Sequence, residues 1–292
     1  FLAVFFVLVF YIIHYDSSLS KWMYGDWVIN YSAGFVRRGL SGEIILFISY
    51  FFNLNPPTIT SFIKIFFLFF SFIYFYKKTN NYTVFLILFS PILLGFYIFD
   101  PTSTGRKEVL LLGTYAIYLL IKKPNILIEI FYIFILSIFL FIYEGLVFFY
   151  FFPILSIFLN NLEKNKNEYY KTYIKTLLLS FPIIISFIIL YKFNPVPFLN
   201  HIEICKSLGK WQPLNCNTTG AIYALQEWNR ESPIIQFPSL REFFFYSTIV
   251  TLSMIILPKF SKIKYINILP NLKINFYYLF IIGFLLPFIL SY

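Results

Sequence analysis

Chemistry in this chain has few residues to draw on, and three short segments carry them. The first runs from Asp26-Trp27 to Arg37-Arg38-Gly39-Leu40-Ser41-Gly42-Glu43. The second is Asp100-Pro101-Thr102-Ser103-Thr104-Gly105-Arg106-Lys107-Glu108. The third is the turn Tyr143-Glu144-Gly145. Each sits between apolar runs, where charge is costly and marks either function or a membrane boundary. Two arginines beside a helix start make an anion site, because the first N–H groups of a helix are unpaired and its dipole favours negative charge. Ser41 suits the N-cap of the helix that follows, and Glu43 its first turn. The glycines would let a phosphate approach the backbone. The same arginines also suit lipid headgroups, and the residue types do not choose between the two.

Arg106 and Lys107 fall at the start of a second helix, where the dipole disfavours cations. Glu108, Asp100 or a bound anion would offset that cost. Glu144 is either a solvated turn residue or an acid facing into a bundle. A proton acceptor for a hydroxyl group requires a carboxylate or histidine within reach. Asp26, Asp100 and Glu144 are carboxylates that these segments offer. Phosphate stabilisation requires cations, and Arg37, Arg38, Arg106 and Lys107 are the candidates. Arginine's planar fork matches phosphate oxygens.

The elements that must position these residues follow from composition. Of 292 residues, 59% are hydrophobic and only 12% charged, which excludes both a soluble domain and a disordered chain. A spanning helix needs about 20 apolar residues. The runs at Phe1–Tyr15, Thr58–Tyr76, Tyr82–Phe99, Lys107–Ile121, Ile126–Phe141, Gly145–Leu159, Thr176–Tyr191, Phe243–Leu257 and Ile274–Tyr292 predict about nine spans. Ser41–Phe52 is too short to cross and is read as a juxtamembrane helix within a first outer loop, 16–57. The sequence reads as one polytopic all-α membrane domain over 1–292, and as a fragment of a longer chain, since it lacks an initial Met and stops inside an apolar run.

The net charge of +10 would suggest nucleic acid in a soluble protein. Here the lysines cluster at Lys77-Lys78, Lys122-Lys123, Lys164 to Lys175 and Lys259 to Lys273, between spans, and the positive-inside rule explains them. With those loops in the cytoplasm, all five arginines (Arg37, Arg38, Arg106, Arg230, Arg241) fall on the opposite side, as do Asp16, Asp26 and Asp100. Glu129 is read as solvated near a cytoplasmic end, and His14 as an interfacial residue. The charges are read as sitting at the outer rim, and no clear repeat relates two halves.

A long polar loop, 192–242, contains Trp211, Trp228, Arg230, Arg241 and His201. Aromatic faces beside polar groups suit a sugar-binding surface, and the packing of a small loop domain would look similar. Cys205 and Cys216 lie in the same loop and would form a disulfide on an oxidising side. Asn217-Thr218-Thr219 matches a glycosylation sequon. There is no metal-ligand cluster, no Cys-x-x-Cys and no nucleophile elbow, so no metal or cofactor is expected.

The Asp26-to-Glu43 segment, Gly105-Arg106-Lys107-Glu108, the Phe/Ile/Tyr-rich spans and the late outer loop together resemble Wzy-type O-antigen or capsular polysaccharide polymerases. The first span, acidic outer loop and juxtamembrane helix also resemble GT-C glycosyltransferases generally. The resemblance implies a multi-pass protein of the bacterial inner membrane whose site faces the periplasm. It implies a substrate of oligosaccharide repeats on undecaprenyl diphosphate, and partners in the bilayer and a chain-length regulator protein. It implies Asp26 as base, with Glu144 and Asp100 behind it, and Arg37, Arg38, Arg106 and Lys107 as diphosphate ligands. Alternatives are a GT-C enzyme adding one sugar from a polyprenyl phosphate, a ligase moving finished glycan onto lipid A core, and a transporter or flippase of lipid-linked sugars. A transporter would favour charges inside the spans and a repeat between halves.

Overall fold

The computed structural model describes residues 2–36, 38–78, 106–121, 124–164, 169–192, 201–230, 265–269 and 272–275. The expected spans Tyr82–Phe99 and Phe243–Leu257, and all but the first two residues of Ile274–Tyr292, lie outside them. So do Arg37, Asp100 and Arg241.

The described chain is almost entirely helical. In chain order the elements are α1 (Leu2–Ser17), α2 (Met23–Trp27), α3 (Leu40–Phe52), α4 (Pro56–Lys78), α5 (Glu108–Leu120) and α6 (Ile126–Ile142). A 3₁₀ turn, Glu144–Phe149, leads into α7 (Phe151–Lys164) and α8 (Tyr169–Lys192). The late loop contributes α9 (His201–Ser207), a 3₁₀ turn at Gly209–Trp211 and α10 (Ala221–Arg230). Two of these helices, over Pro56–Lys77 and Tyr170–Leu190, are long and apolar enough to cross a membrane.

Phe/Ile/Leu-rich runs of this length contain few residues that interrupt the i→i−4 ladder, so they propagate as helices until a turn signal stops them. Asn53 ends α3 in the left-handed conformation (φ 57°), and Pro56 opens α4 three residues later. Asn125 caps α6, its side chain accepting the N–H of Ile128 at 2.9 Å. The expected single span over Gly145–Leu159 is instead a 3₁₀ turn followed by α7. The expected span at Thr176–Tyr191 begins seven residues earlier, at Tyr169.

Among the described residues the all-helical expectation has one exception. Tyr265–Leu269 (β1) and Leu272–Asn275 (β2) pair antiparallel, with Tyr265 opposite Asn275. Ile266, Ile268 and Ile274 are β-branched residues that favour a strand. The segment was expected to be a lysine-bearing loop running into a span.

α4 packs on α1 and α5, and α6 packs on α8. Their inner faces form one core that includes Leu8, Ile12, Leu68, Phe72, Leu136 and Leu140. The outward faces are apolar as well: Phe10, Phe62, Phe131 and Leu178 are each more than 60% exposed. Water would penalise such a perimeter heavily, whereas hydrocarbon would not.

Residues 16–43, part of the expected first outer loop 16–57, form the packed hub of one end of the bundle. Tyr24, Trp27, Val28 and Ile29 are all at most 1% exposed. The hub folds back on α3: the Gly42 N–H donates to the Ile29 carbonyl (3.0 Å), and the Tyr31 N–H donates to Glu43 Oε1 (2.7 Å). A Cβ at position 42 would stand 2.1 Å from the Ile29 carbonyl oxygen, so only glycine permits this approach.

Candidate functional site

The three charged segments meet at the hub end of the bundle, although they are far apart in sequence. Arg38 lies just before α3, Lys107 just before α5, and Glu144 just after α6. Helix ends deliver all three to one place because α5 begins where α6 ends.

Arg38 is the centre. Its Nε is 3.1 Å from both oxygens of Glu144, and its Nη2 is 2.9 Å from Glu144 Oε1. Its Nη1 lies 3.7 Å from Asp26 Oδ1. The guanidinium also stands over the Tyr143 ring, 4.7 Å from the centroid. Burial disfavours its charge, but the Glu144 and Asp26 carboxylates outweigh burial and hold its pKa above the ordinary arginine value. Glu144 is therefore an acid facing the bundle, and not a solvated turn residue.

Lys107 is fully buried. Its ammonium donates to the carbonyls of Arg38 (3.3 Å) and Ile142 (3.1 Å) and lies 3.8 Å from Asp26 Oδ1. It ties the hub, α5 and α6 together. Those carbonyls and Asp26 offset the cost of a cation at a helix start. Lys107 does not line the pocket described below, so its position is that of a brace.

A pocket of about 240 Å³ opens beside these groups. Trp22, Met23, Asp26, Arg38, Arg106, Glu108 and Tyr143 line one side, and Ala221, Ala224 and Leu225 of α10 line the other. Arg106 is exposed there, and among the described residues it makes no ion pair. Glu108 is half-buried, and its Oε2 has no hydrogen-bond partner. The Tyr143 phenol is pushed up to about 12, by burial first and then by the Glu108 carboxylate, so it stays a neutral O–H donor.

The late loop forms the facing wall. It is stapled by the Cys205–Cys216 disulfide, both cysteines being buried. It docks on the hub by backbone bonds from Leu214 N–H to the Leu19 carbonyl (2.9 Å) and from Ala221 N–H to the Lys21 carbonyl (3.0 Å). The Tyr24 hydroxyl donates to the Trp211 carbonyl (2.9 Å), and Asn30 Nδ2 donates to Ser207 Oγ (2.9 Å). His201 packs edge-on against Tyr223 and meets the Asn217 carbonyl at 3.3 Å. His201 and Trp211 shape the loop and do not line the pocket. Trp228 and Arg230 belong to α10.

Three expectations about this region change. Ser41 does not cap α3; Gly39 holds the cap position, and the Ser41 hydroxyl donates to the Arg38 carbonyl. The glycines do not cradle an anion: Gly39 lies under the Tyr31 ring, and the Gly42 N–H is already bonded to Ile29. The α3 start is thus consumed by the fold.

The bundle also holds charges that sequence reading placed elsewhere or missed. Asp16, at the end of α1, accepts from Lys64 and from the Ser61 hydroxyl (2.9 Å) of α4, and both members of the ion pair are completely buried. Lys64 stands 5.4 Å from the Trp27 ring centre. Glu129 is buried too, accepting from Asn161 Nδ2 (3.0 Å) with Lys175 3.9 Å away. Lys64 and Ser61 lie one turn apart on α4, a spacing that was readable, but a lone lysine in an apolar run does not reveal its partner. Trp22 and Glu108 were also missed as pocket residues, although Trp22 precedes Asp26 by one helical turn.

No protein-family model matches the chain, and no curated protein or solved structure is significantly similar to it.

Proposed function

We propose that this chain is a membrane glycosyltransferase that polymerises oligosaccharide repeats carried on undecaprenyl diphosphate, at the periplasmic face of the bacterial inner membrane, into O-antigen or capsular polysaccharide. One observation carries the reading. Residues chosen for acid–base and phosphate chemistry (Asp26, Arg38, Arg106 and Glu144) converge beside one pocket at a bundle end.

The arrangement suits glycosyl transfer from a lipid phosphate. A pocket carboxylate takes the proton of the acceptor hydroxyl, and the exposed Arg106 meets the departing phosphate. The apolar perimeter suits a bilayer, which would hold the lipid carrier beside the pocket. The buried Cys205–Cys216 disulfide on the pocket wall favours an oxidising compartment for this end. A chain-length regulator would bind from the same side.

A transporter would keep charges inside the spans, and Asp16–Lys64 is such a pair. It is sealed and neutralised in place and does not line the pocket. A buried pair of this kind supports the bundle more readily than it carries cargo.

The test uses a host that lacks its own polymerase and carries the matching repeat-unit genes. The full-length protein should give a modal glycan ladder. Arg106→Ala, at equal membrane levels, should collapse the ladder to single repeats. Single repeats with the intact protein would sink the polymerase reading. An incomplete repeat that only this protein completes would assign it as a single-sugar transferase.

A further inference from the structure

Two carboxylates line the pocket, and the structure treats them differently. Asp26 Oδ1 stands 3.7 Å from Arg38 Nη1 and 3.8 Å from Lys107 Nζ. It sits between two cations, although that oxygen has no hydrogen-bond partner of its own. Glu144, behind it, is gripped by the Arg38 fork. Both acids hold Arg38 in place. Glu108 is different. Like Asp26 Oδ1, its Oε2 is buried without a hydrogen-bond partner, but among the described residues its side chain makes no ion pair. It lines the pocket with Arg106, two residues earlier, and with Tyr143.

We propose that Glu108, and not Asp26, is the general base of this site. The inference rests on the glycosyl-transfer reading above. In the step, the O–H bond of the acceptor sugar breaks and its proton passes to Glu108 Oε2. The acceptor oxygen forms a bond to the anomeric carbon of the donor. The bond from that carbon to the phosphate oxygen breaks, and its electron pair leaves with the lipid phosphate, whose charge Arg106 meets. Glu108 then returns its proton to water as the product leaves. Asp26 acts through Arg38 and Lys107, and is a positioning residue.

The position of Glu108 explains why an acid should follow two cations at the start of α5. A carboxylate there complements the helix dipole. A buried acceptor with no donor costs free energy unless something uses it. An incoming hydroxyl would supply the missing donor.

The experiment follows chain extension in membranes containing the full-length protein and its lipid-linked repeat, over a range of pH. The wild-type ladder tests the glycosyl-transfer reading by itself, and its absence would remove both that reading and this role. With the ladder present, Glu108→Gln should lower the extension rate by roughly 100-fold or more at an unchanged KM for the repeat. It should also abolish the acidic limb of the pH–rate profile. Glu108→Asp should restore part of the rate and the limb. Asp26→Asn should lower the rate but keep the limb. A wild-type rate in Glu108→Gln, or loss of the limb in Asp26→Asn alone, would overturn the proposal. If Glu108→Gln fails to reach the membrane, Glu108→Asp decides: a wild-type rate and profile in that variant would overturn it.

Discussion

Arg38 and Glu144, 106 residues apart in sequence, are joined by a two-nitrogen fork with contacts of 2.9 and 3.1 Å. This contact holds the hub against the turn after α6, and it sets the orientation of both groups toward Asp26. Its side chains are only 17% and 26% exposed, so little water competes for it.

Removing one partner should cost more than removing both. Arg38→Met leaves Glu144 with no cation of its own in a site shielded from water, at a cost of about 3 kcal/mol or more. Arg38→Met with Glu144→Gln leaves no orphaned charge there and should regain a large part of that loss. Thermal unfolding of the purified protein in detergent reads the difference. Equal melting temperatures for the single and double variants would show that the fork contributes no coupling.

The Asp16–Lys64 pair makes a parallel case at greater depth, since neither side chain is exposed at all. Lys64→Met should destabilise the bundle by about 3–5 kcal/mol, because Asp16 would keep only the Ser61 hydroxyl. Asp16→Asn combined with Lys64→Met should recover most of the loss. Trp27, whose ring faces the Lys64 ammonium, should change its fluorescence in both lysine variants. A double variant less stable than Lys64→Met would contradict a neutralised structural pair.

How far the sequence reveals this molecule depends on how local each signal is. Helix positions were legible because apolar run length is a local property: α3, α5 and α6 match their expected limits within a residue or two. The convergence of Asp26, Arg38 and Glu144 was legible only as chemistry, because charges this sparse in an apolar chain have few uses. The partners were not legible. Which acid Arg38 would grip depends on how α3 meets α6, and nothing local encodes it. Lys64 read as part of a span because its partner, Asp16, ends a different helix. Glu129 read as solvated because it lies near a helix start, yet Asn161 and Lys175 from two later helices cover it. The break after Glu144 escaped notice because hydropathy does not register a side chain committed elsewhere.

Gly42 gives a sharper test of the hub. Gly42→Ala would place a methyl 2.1 Å from the Ile29 carbonyl oxygen, and that atom belongs to backbone fixed by the bond from the Gly42 N–H. The expected cost is about 3 kcal/mol, with loss of properly folded protein in size-exclusion chromatography. Gly209→Ala is the control: its φ of +54° is strained for alanine, but nothing lies within 4 Å of the added carbon. That variant should lose only about 1 kcal/mol. Comparable losses in the two would mean that the approach of α3 to Ile29 is not tight.

The late loop reaches the hub through a few hydrogen bonds, so its own order should depend on its staple. The Cys205–Cys216 bond spans 11 residues, and closing a loop of that size stabilises by roughly 3 kcal/mol. Cys205→Ser with Cys216→Ser should therefore lower the melting temperature. It should also raise amide exchange in α9 and at Leu214 and Ala221, whose N–H groups carry the docking bonds. The exchange of α6 and α8, which lie in the bundle, should hardly change. Reducing the wild-type protein should reproduce both effects, which separates loss of the bond from damage by the substitutions. If exchange at Leu214 and Ala221 is unchanged in the double variant, the hub alone orders the wall, and the disulfide is dispensable for the shape of the pocket.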